Sequence, residues 1–225
     1  MKFWTFSLLL FCTAFLNSCI ELVDDIKINN DGSGTLKYTI NLSSSKVKVT
    51  SILALDSING IRVPSISELN NRISEFQKKL DAKSGISNVT VESDFENFVF
   101  KLRCDFTSVT ALQTAIKEVV RDELRDKNVP ELDAIWLNWD GQKLVRSIPE
   151  ISVKKTTEFQ QEDIALLKQG TYTSITRFER PVDHFDNPSA QLSANKMNVM
   201  VKTNPHALSQ NTSLLDNIIY LAPLK

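Results

Sequence analysis

Ile20-Glu21-Leu22-Val23-Asp24-Asp25-Ile26-Lys27-Ile28-Asn29-Asn30-Asp31-Gly32-Ser33-Gly34-Thr35-Leu36-Lys37-Tyr38-Thr39-Ile40-Asn41-Leu42 holds two alternating runs on either side of a dense turn signal. Ile20, Leu22, Ile26 and Ile28 share one face of an extended chain, and so do Leu36, Tyr38, Ile40 and Leu42, because successive strand side chains point to opposite sides. The six residues between them are all turn formers, so residues 20–42 are predicted to be a β-hairpin. An Asp-x-Gly-x-Gly loop can also suggest calcium. A calcium loop needs further oxygen ligands at set spacing and a closing bidentate acid, whereas Thr35-Leu36-Lys37 follow here. Turn geometry is the expected role of Asp31.

Moving toward the C-terminus, Ser43-Ser44-Ser45 can cap a weakly amphipathic helix over residues 47–58, ended by Asn59-Gly60. Ser65 or Ser67 can cap the next helix. There Ile66, Leu69, Ile73, Phe76 and Leu80 form a narrow seam spaced 3, 4, 3, 4, closing at Ser84-Gly85. Two heptads are too few for a coiled coil, so this helix is expected to lie on a sheet. Val89, Val91 and residues 98–106 predict a second hairpin around Asp94-Phe95-Glu96-Asn97. Ser108 or Thr110 can cap a third helix that turns Leu112, Ile116, Val119, Val120 and Leu124 inward and ends near Asn128, before Pro130. Residues 134–139, Asp140-Gly141 and residues 143–145 read as a third hairpin. Hairpins alternating with helices predict an α+β fold, an antiparallel sheet built from hairpins with helices packed on one face.

Beyond Pro149 the pattern thins. Residues 159–169 suit a short helix stopped by Gly170, and residues 171–178 a strand. Residues 181–193 read as a loop, 197–201 as a strand, 204–212 as a loop, and 214–221 as an apolar run. Residues 19–150 are therefore expected to form the α+β domain, with 151–225 its continuation or a small subdomain.

At the other end, Met1-Lys2 gives a positive start, residues 3–16 are apolar apart from Thr5, Ser7 and Thr13, and Leu16-Asn17-Ser18-Cys19 follows. This is the layout of a secretory signal over residues 1–18, too short to span a bilayer permanently. Leu16-Asn17-Ser18-Cys19 resembles the lipobox of bacterial lipoproteins, with Asn17 bulkier than usual at the most permissive position. The resemblance implies a diacylglycerol on the Cys19 thiol, cleavage between Ser18 and Cys19, and often an acyl group on the new amine. It also implies a cell-envelope location. An aspartate after the lipidated cysteine favours inner-membrane retention in enteric-type bacteria; Ile20 stands there instead, implying the outer membrane where the source has two. A strand starting at or near Ile20 leaves little linker, so the hairpin end bearing Ile20 and Leu42 is expected to face lipid.

The formal net charge of −1 becomes one unit more negative without Lys2, which gives no electrostatic case for nucleic acid. Of three cysteines, Cys12 leaves with the signal and Cys19 takes lipid, so Cys104 has no disulfide partner. It falls on the apolar face of Phe98, Phe100, Leu102, Cys104 and Phe106, the pattern of a core cysteine. His184 and His206 both fall in predicted loops. Asp183, His184 and Asp186 are weak candidates for a metal or a base, needing partners from elsewhere in the fold. Nucleophile elbows, dinucleotide and phosphate loops, His-Glu-x-x-His and paired-cysteine sites are absent, and no cofactor is expected. Trp136 and Trp139 flank a turn and are expected in the core. The mixed charges at Glu150, Lys154, Lys155, Glu158, Glu162 and Asp163 suit a solvated face. Asp56-Ser57-Ile58 resembles a short acceptor pattern for O-glycosylation in some envelope proteins, though three residues recur easily by chance.

The expected function is a lipid-anchored envelope protein working as a non-catalytic binding or assembly module, with the membrane and an envelope protein as partners. An envelope hydrolase with a carboxylate and histidine site, or a purely structural lipoprotein, are the alternatives.

Overall fold

The computed structural model describes residues 20–58, 60–123, 129–149 and 161–223, with backbone only for 161–163. Residues 1–19, with the expected signal segment and Cys19, lie outside these, as do Asn59, Leu124, Asn128, Glu150, Lys154, Lys155, Glu158 and Phe159.

The leading hairpin forms as its alternation predicts: β1 (Glu21–Ile28) pairs antiparallel with β2 (Gly34–Asn41), Glu21 opposite Asn41 and Ile28 opposite Gly34. Two glycines make the turn possible. Gly32 sits at φ 85°, and a Cβ on Gly34 would lie 1.9 Å from the Lys27 carbonyl oxygen. The Asp31 carboxylate accepts the Ser33 N–H (2.9 Å) and hydroxyl (2.6 Å), closing the loop as an Asx turn.

After β2 the chain makes a 3₁₀ turn at Ser43–Ser45 and a short helix α1 (Lys46–Leu53). The helix expected to reach residue 58 stops earlier. None of its side chains is buried, so nothing holds the predicted last turn, and β3 (Ser57–Ile58) instead pairs with β4 (Ile61–Arg62) around Gly60. Next come α2 (Ile66–Asp81), the second hairpin of β5 (Ile86–Asp94) and β6 (Val99–Phe106), and α3 (Val109–Glu123). Ser65 caps α2 and Ser108 accepts the Ala111 N–H at the start of α3. The third hairpin is β7 (Leu137–Trp139) with β8 (Lys143–Arg146).

The remainder comprises α4 (Gln161–Gln169), β9 (Thr171–Phe178), β10 (Val182–Phe185), β11 (Ala190–Leu192), β12 (Asn198–Thr203), α5 (Pro205–Gln210) and β13 (Asn217–Leu221). Two expected loops thus contain elements. Residues 181–193 hold β10 and β11, short outermost strands whose polar side chains and flanking prolines hide the alternation. Residues 204–212 hold α5, too short to show a helical period; its signature is Asn204, which accepts the Ala207 N–H (2.8 Å), followed by Pro205. His184 consequently sits on a strand and His206 on a helix, rather than in loops.

A seven-stranded sheet runs β11-β12-β9-β1-β2-β6-β5 and a four-stranded sheet β10-β13-β8-β7. Every pairing is antiparallel except β1 with β9, which run parallel at the centre of the larger sheet. The third hairpin belongs to the second sheet, and strands from residues 171–221 enter both. One face of the large sheet presents Ile26, Ile28, Cys104, Phe106 and Phe178 to a shared core. Leu80 of α2 and Leu112, Ala115 and Val119 of α3 cover part of that face, and Leu137, Leu144 and Ile219 of the second sheet cover another part. Cys104 is fully buried as expected, its thiol pushed up to about 11 by burial and by the nearby Asp105 carboxylate. Trp136 and Trp139 both pack against the core, Trp139 stacked on Phe178 with ring centroids 6.1 Å apart. The opposite face is polar, with Arg177 donating twice to Asp25 (2.7 and 2.9 Å). No described helix is long and apolar enough to cross a membrane.

Candidate functional site

Register assembles the site. Asp24 lies opposite Tyr38, and Tyr38 opposite Leu102, so β1, β2 and β6 line up a carboxylate, a phenol and an aliphatic chain across the covered face. Above them runs the seam of α2, yet only Leu80 at its C-terminal end is buried. Toward its N-terminus Leu69, Ile73 and Phe76 are half-buried, Phe76 against the core, and two adjoining clefts open between the helix and the sheet. One, of about 530 Å³, lies between those three side chains and Tyr38, Ile40, Phe95 and Phe100. The other, of about 450 Å³, reaches deeper, between Ile26, Leu36, Leu112, Ile116 and Trp136. Tyr38, Phe76 and Leu102 border both. The walls are mainly aliphatic and aromatic, with Arg72, Lys101 and Glu123 also bordering the first cleft, which suits a largely apolar guest.

At the floor of the deeper cleft is a buried polar cluster. Arg146 of β8 donates to Asp24 through Nη2 (2.8 Å) and Nη1 (3.3 Å), and Nη1 also donates to the Ser174 hydroxyl oxygen (2.7 Å). Ser174 donates to Asp24 at 2.7 Å and the Tyr172 hydroxyl at 2.5 Å. Burial works to raise the Asp24 carboxyl, but the Arg146 charge and these donors outweigh it and hold it below the usual carboxylate range. Burial and the neighbouring Asp24 charge push the Tyr172 phenol far above its ordinary value. The ion pair fastens the second sheet to the first, since Asp24 lies on β1 and Arg146 on β8. With four donor groups already on its two oxygens, Asp24 has little acceptor capacity left for a base. Arg146 Nε is buried without a hydrogen-bond partner among the described residues.

The residues singled out from sequence are placed elsewhere. Asp183 Oδ2 and His184 Nδ1 are 2.8 Å apart on the exposed side of β10, and the His184 ring stacks on Tyr220 at 4.1 Å. Asp186 lies just past that strand, its N–H donating to the Ile218 carbonyl. Among the described residues, no group of three or more His, Cys, Asp or Glu is placed to hold a metal. Sequence reasoning passed over Asp24, although the signal was there: it is the acid that interrupts the inward series Leu22, Ile26, Ile28. The seam of α2 was legible; the clefts beside it were not.

No family model matches the chain, and no curated protein matches it. Among solved structures it is similar to the folded domain of LppM from Mycobacterium tuberculosis, determined by NMR, at 10% identity over 94% of this chain and 96% of that one, with a TM-score of 0.41. That likeness carries no function across.

Proposed function

We propose that the chain is a lipid-anchored cell-envelope protein, held through Cys19, that works as a non-catalytic module binding an apolar chain in the cleft between α2, α3 and the large sheet. The cleft carries the binding part of this reading: an apolar space bordered by Phe76, Tyr38 and Leu102, open beside a helix whose seam is fully buried only at Leu80. Water in such a space is readily displaced by hydrocarbon, and each buried methylene contributes about 0.8 kcal/mol. The lipobox-like Leu16-Asn17-Ser18-Cys19 supports the anchor and the envelope location, with the outer membrane as the destination where there are two. Ile20 directly after Cys19 is already tied into the fold, its carbonyl accepting the Thr171 N–H at 2.7 Å.

Two measurements test this. A fluorescent fatty-chain probe should bind the purified protein, and Ile73→Asp, which puts a charge at the cleft wall, should weaken that binding at least about 10-fold, since burying an unpaired charge costs well over 1.4 kcal/mol. Equal binding by both proteins refutes the cleft as the site. The mature wild-type protein should carry a lipid mass on Cys19 that Cys19→Ala removes; a wild-type protein whose mass shows no lipid refutes the anchor.

A further inference from the structure

Between β2 and α2 the chain makes an excursion from the large sheet, described over residues 43–58 and 60–64. Three of its large aliphatic side chains stay mostly outside the protein. Val47 is 82% exposed, Ile61 74% and Leu55 52%, and α1 buries no residue at all. A large aliphatic side chain left in water forgoes the gain of burial. Three within one short excursion indicate a surface made to be covered.

Its position says by what. Glu21 pairs with Asn41, so Ile20 and Leu42 leave the sheet at the same end, on strands about 5 Å apart. The chain outside the structure on that side ends at Cys19, one residue from Ile20. The excursion therefore starts beside the point at which the acyl chains would enter the bilayer. Phe95 and Ile40, which border the larger cleft, also lie toward this end, since Asn41 pairs with Val99 and Val99 with Asp94.

We infer that residues 43–64 are a membrane-seating surface, which lays Val47, Leu55 and Ile61 into the headgroup layer of the bilayer that carries the Cys19 lipid and brings the larger cleft close to that layer. This rests on the lipid anchor proposed above. The partner is a lipid surface; a second copy of the chain is the competing occupant.

The test uses the full lipidated protein in vesicles of phosphatidylethanolamine and phosphatidylglycerol. An environment-sensitive dye is placed at Val47→Cys, Ile61→Cys or, as a control in the turn at the far end of the hairpin, Asn30→Cys. Cys104 is buried and Cys19 acylated, so labelling is selective. Dye at positions 47 and 61 should shift to the blue and be quenched by spin-labelled lipid several-fold more strongly than dye at 30. Three dyes equally exposed to water on vesicle-bound protein overturn the seating surface while leaving the anchor intact. Protein that carries no lipid mass and ignores vesicles shows instead that the anchor itself is wrong. A blue shift that appears without vesicles and grows with protein concentration assigns the surface to a second copy. A sugar mass on Ser57, at the tip between Leu55 and Ile61, also overturns the inference, because a glycan there holds those side chains out of lipid.

Discussion

Asp24 stands at a strand position facing the core, where a carboxylate is tolerated only if its charge and lone pairs are met. Arg146, Ser174 and Tyr172 meet them. Replacing Asp24 by Asn leaves Arg146 buried without its counter-charge, and removing one partner of such a pair costs about 3–5 kcal/mol. Urea unfolding of Asp24→Asn should show a loss of that size, while a paired Asp24→Leu, Arg146→Met variant should recover much of it. The pH dependence follows from the lowered Asp24 value. A carboxyl whose folded pKa is depressed contributes stability that is complete above its unfolded value, near 3.8, and is lost as pH falls through the folded one. The wild-type chain should therefore lose stability below about pH 4 more steeply than Asp24→Asn does, in acid titrations followed by circular dichroism. An interrupted apolar face was the only mark of this in the sequence. Its partners lie more than a hundred residues away, at separations of 122 and 150 positions, and no local pattern ties them together.

Helix α2 shows what local pattern does determine. Ser65 accepts the Glu68 N–H (3.2 Å) while the Glu68 carboxylate accepts the Ser65 N–H (2.8 Å), a reciprocal capping box. Arg62 donates to the same carboxylate at 2.7 Å; that bond and those from Ser65 bring Glu68 down to about 2. Ser65→Ala should cost about 1 kcal/mol in thermal or urea unfolding, as the loss of a capping side chain does. A drop in apolar-probe binding should accompany it, because the N-terminal half of α2 borders the larger cleft. Elements of this kind, long, periodic and capped, were legible: three hairpins, α2 and α3 all fall where alternation and capping residues put them. Short elements were not. Strands β10 and β11 and helix α5 span three to six residues, less than the window over which a period of 2 or 3.6 becomes distinct. Helix α1 failed in the opposite sense. It had sequence length but no face to bury, and tertiary contact decides where such a helix stops.

At the scale of the molecule, the α+β class and the placing of α2 and α3 on one sheet face followed from the order of hairpins and helices. The division into two sheets did not. A hairpin specifies its own two strands and is silent about which larger sheet it joins; Lys143–Arg146 joins Asn217–Leu221, and only the distant pairing reveals it. The cleft was hidden for a related reason, being the space left between a seam and a sheet whose separation depends on everything packed beneath them. The parallel pairing of β1 with β9 bears on time as well as shape. β1 is made first, but its neighbour at Thr171–Phe178 comes last among the strands of the central three, so one edge of β1 and the Asp24 carboxylate wait unpaired while most of the chain is still to come. Contacts this distant in sequence slow folding, and an open strand edge invites association with other chains. A chain stopped after residue 149 should consequently accumulate as aggregate, in contrast to the full-length protein, when both are compared by sedimentation after expression. A nascent protein with this topology needs its central strand shielded until β9 is made, and the interval of exposure is set by the length of chain between Ile28 and Phe178.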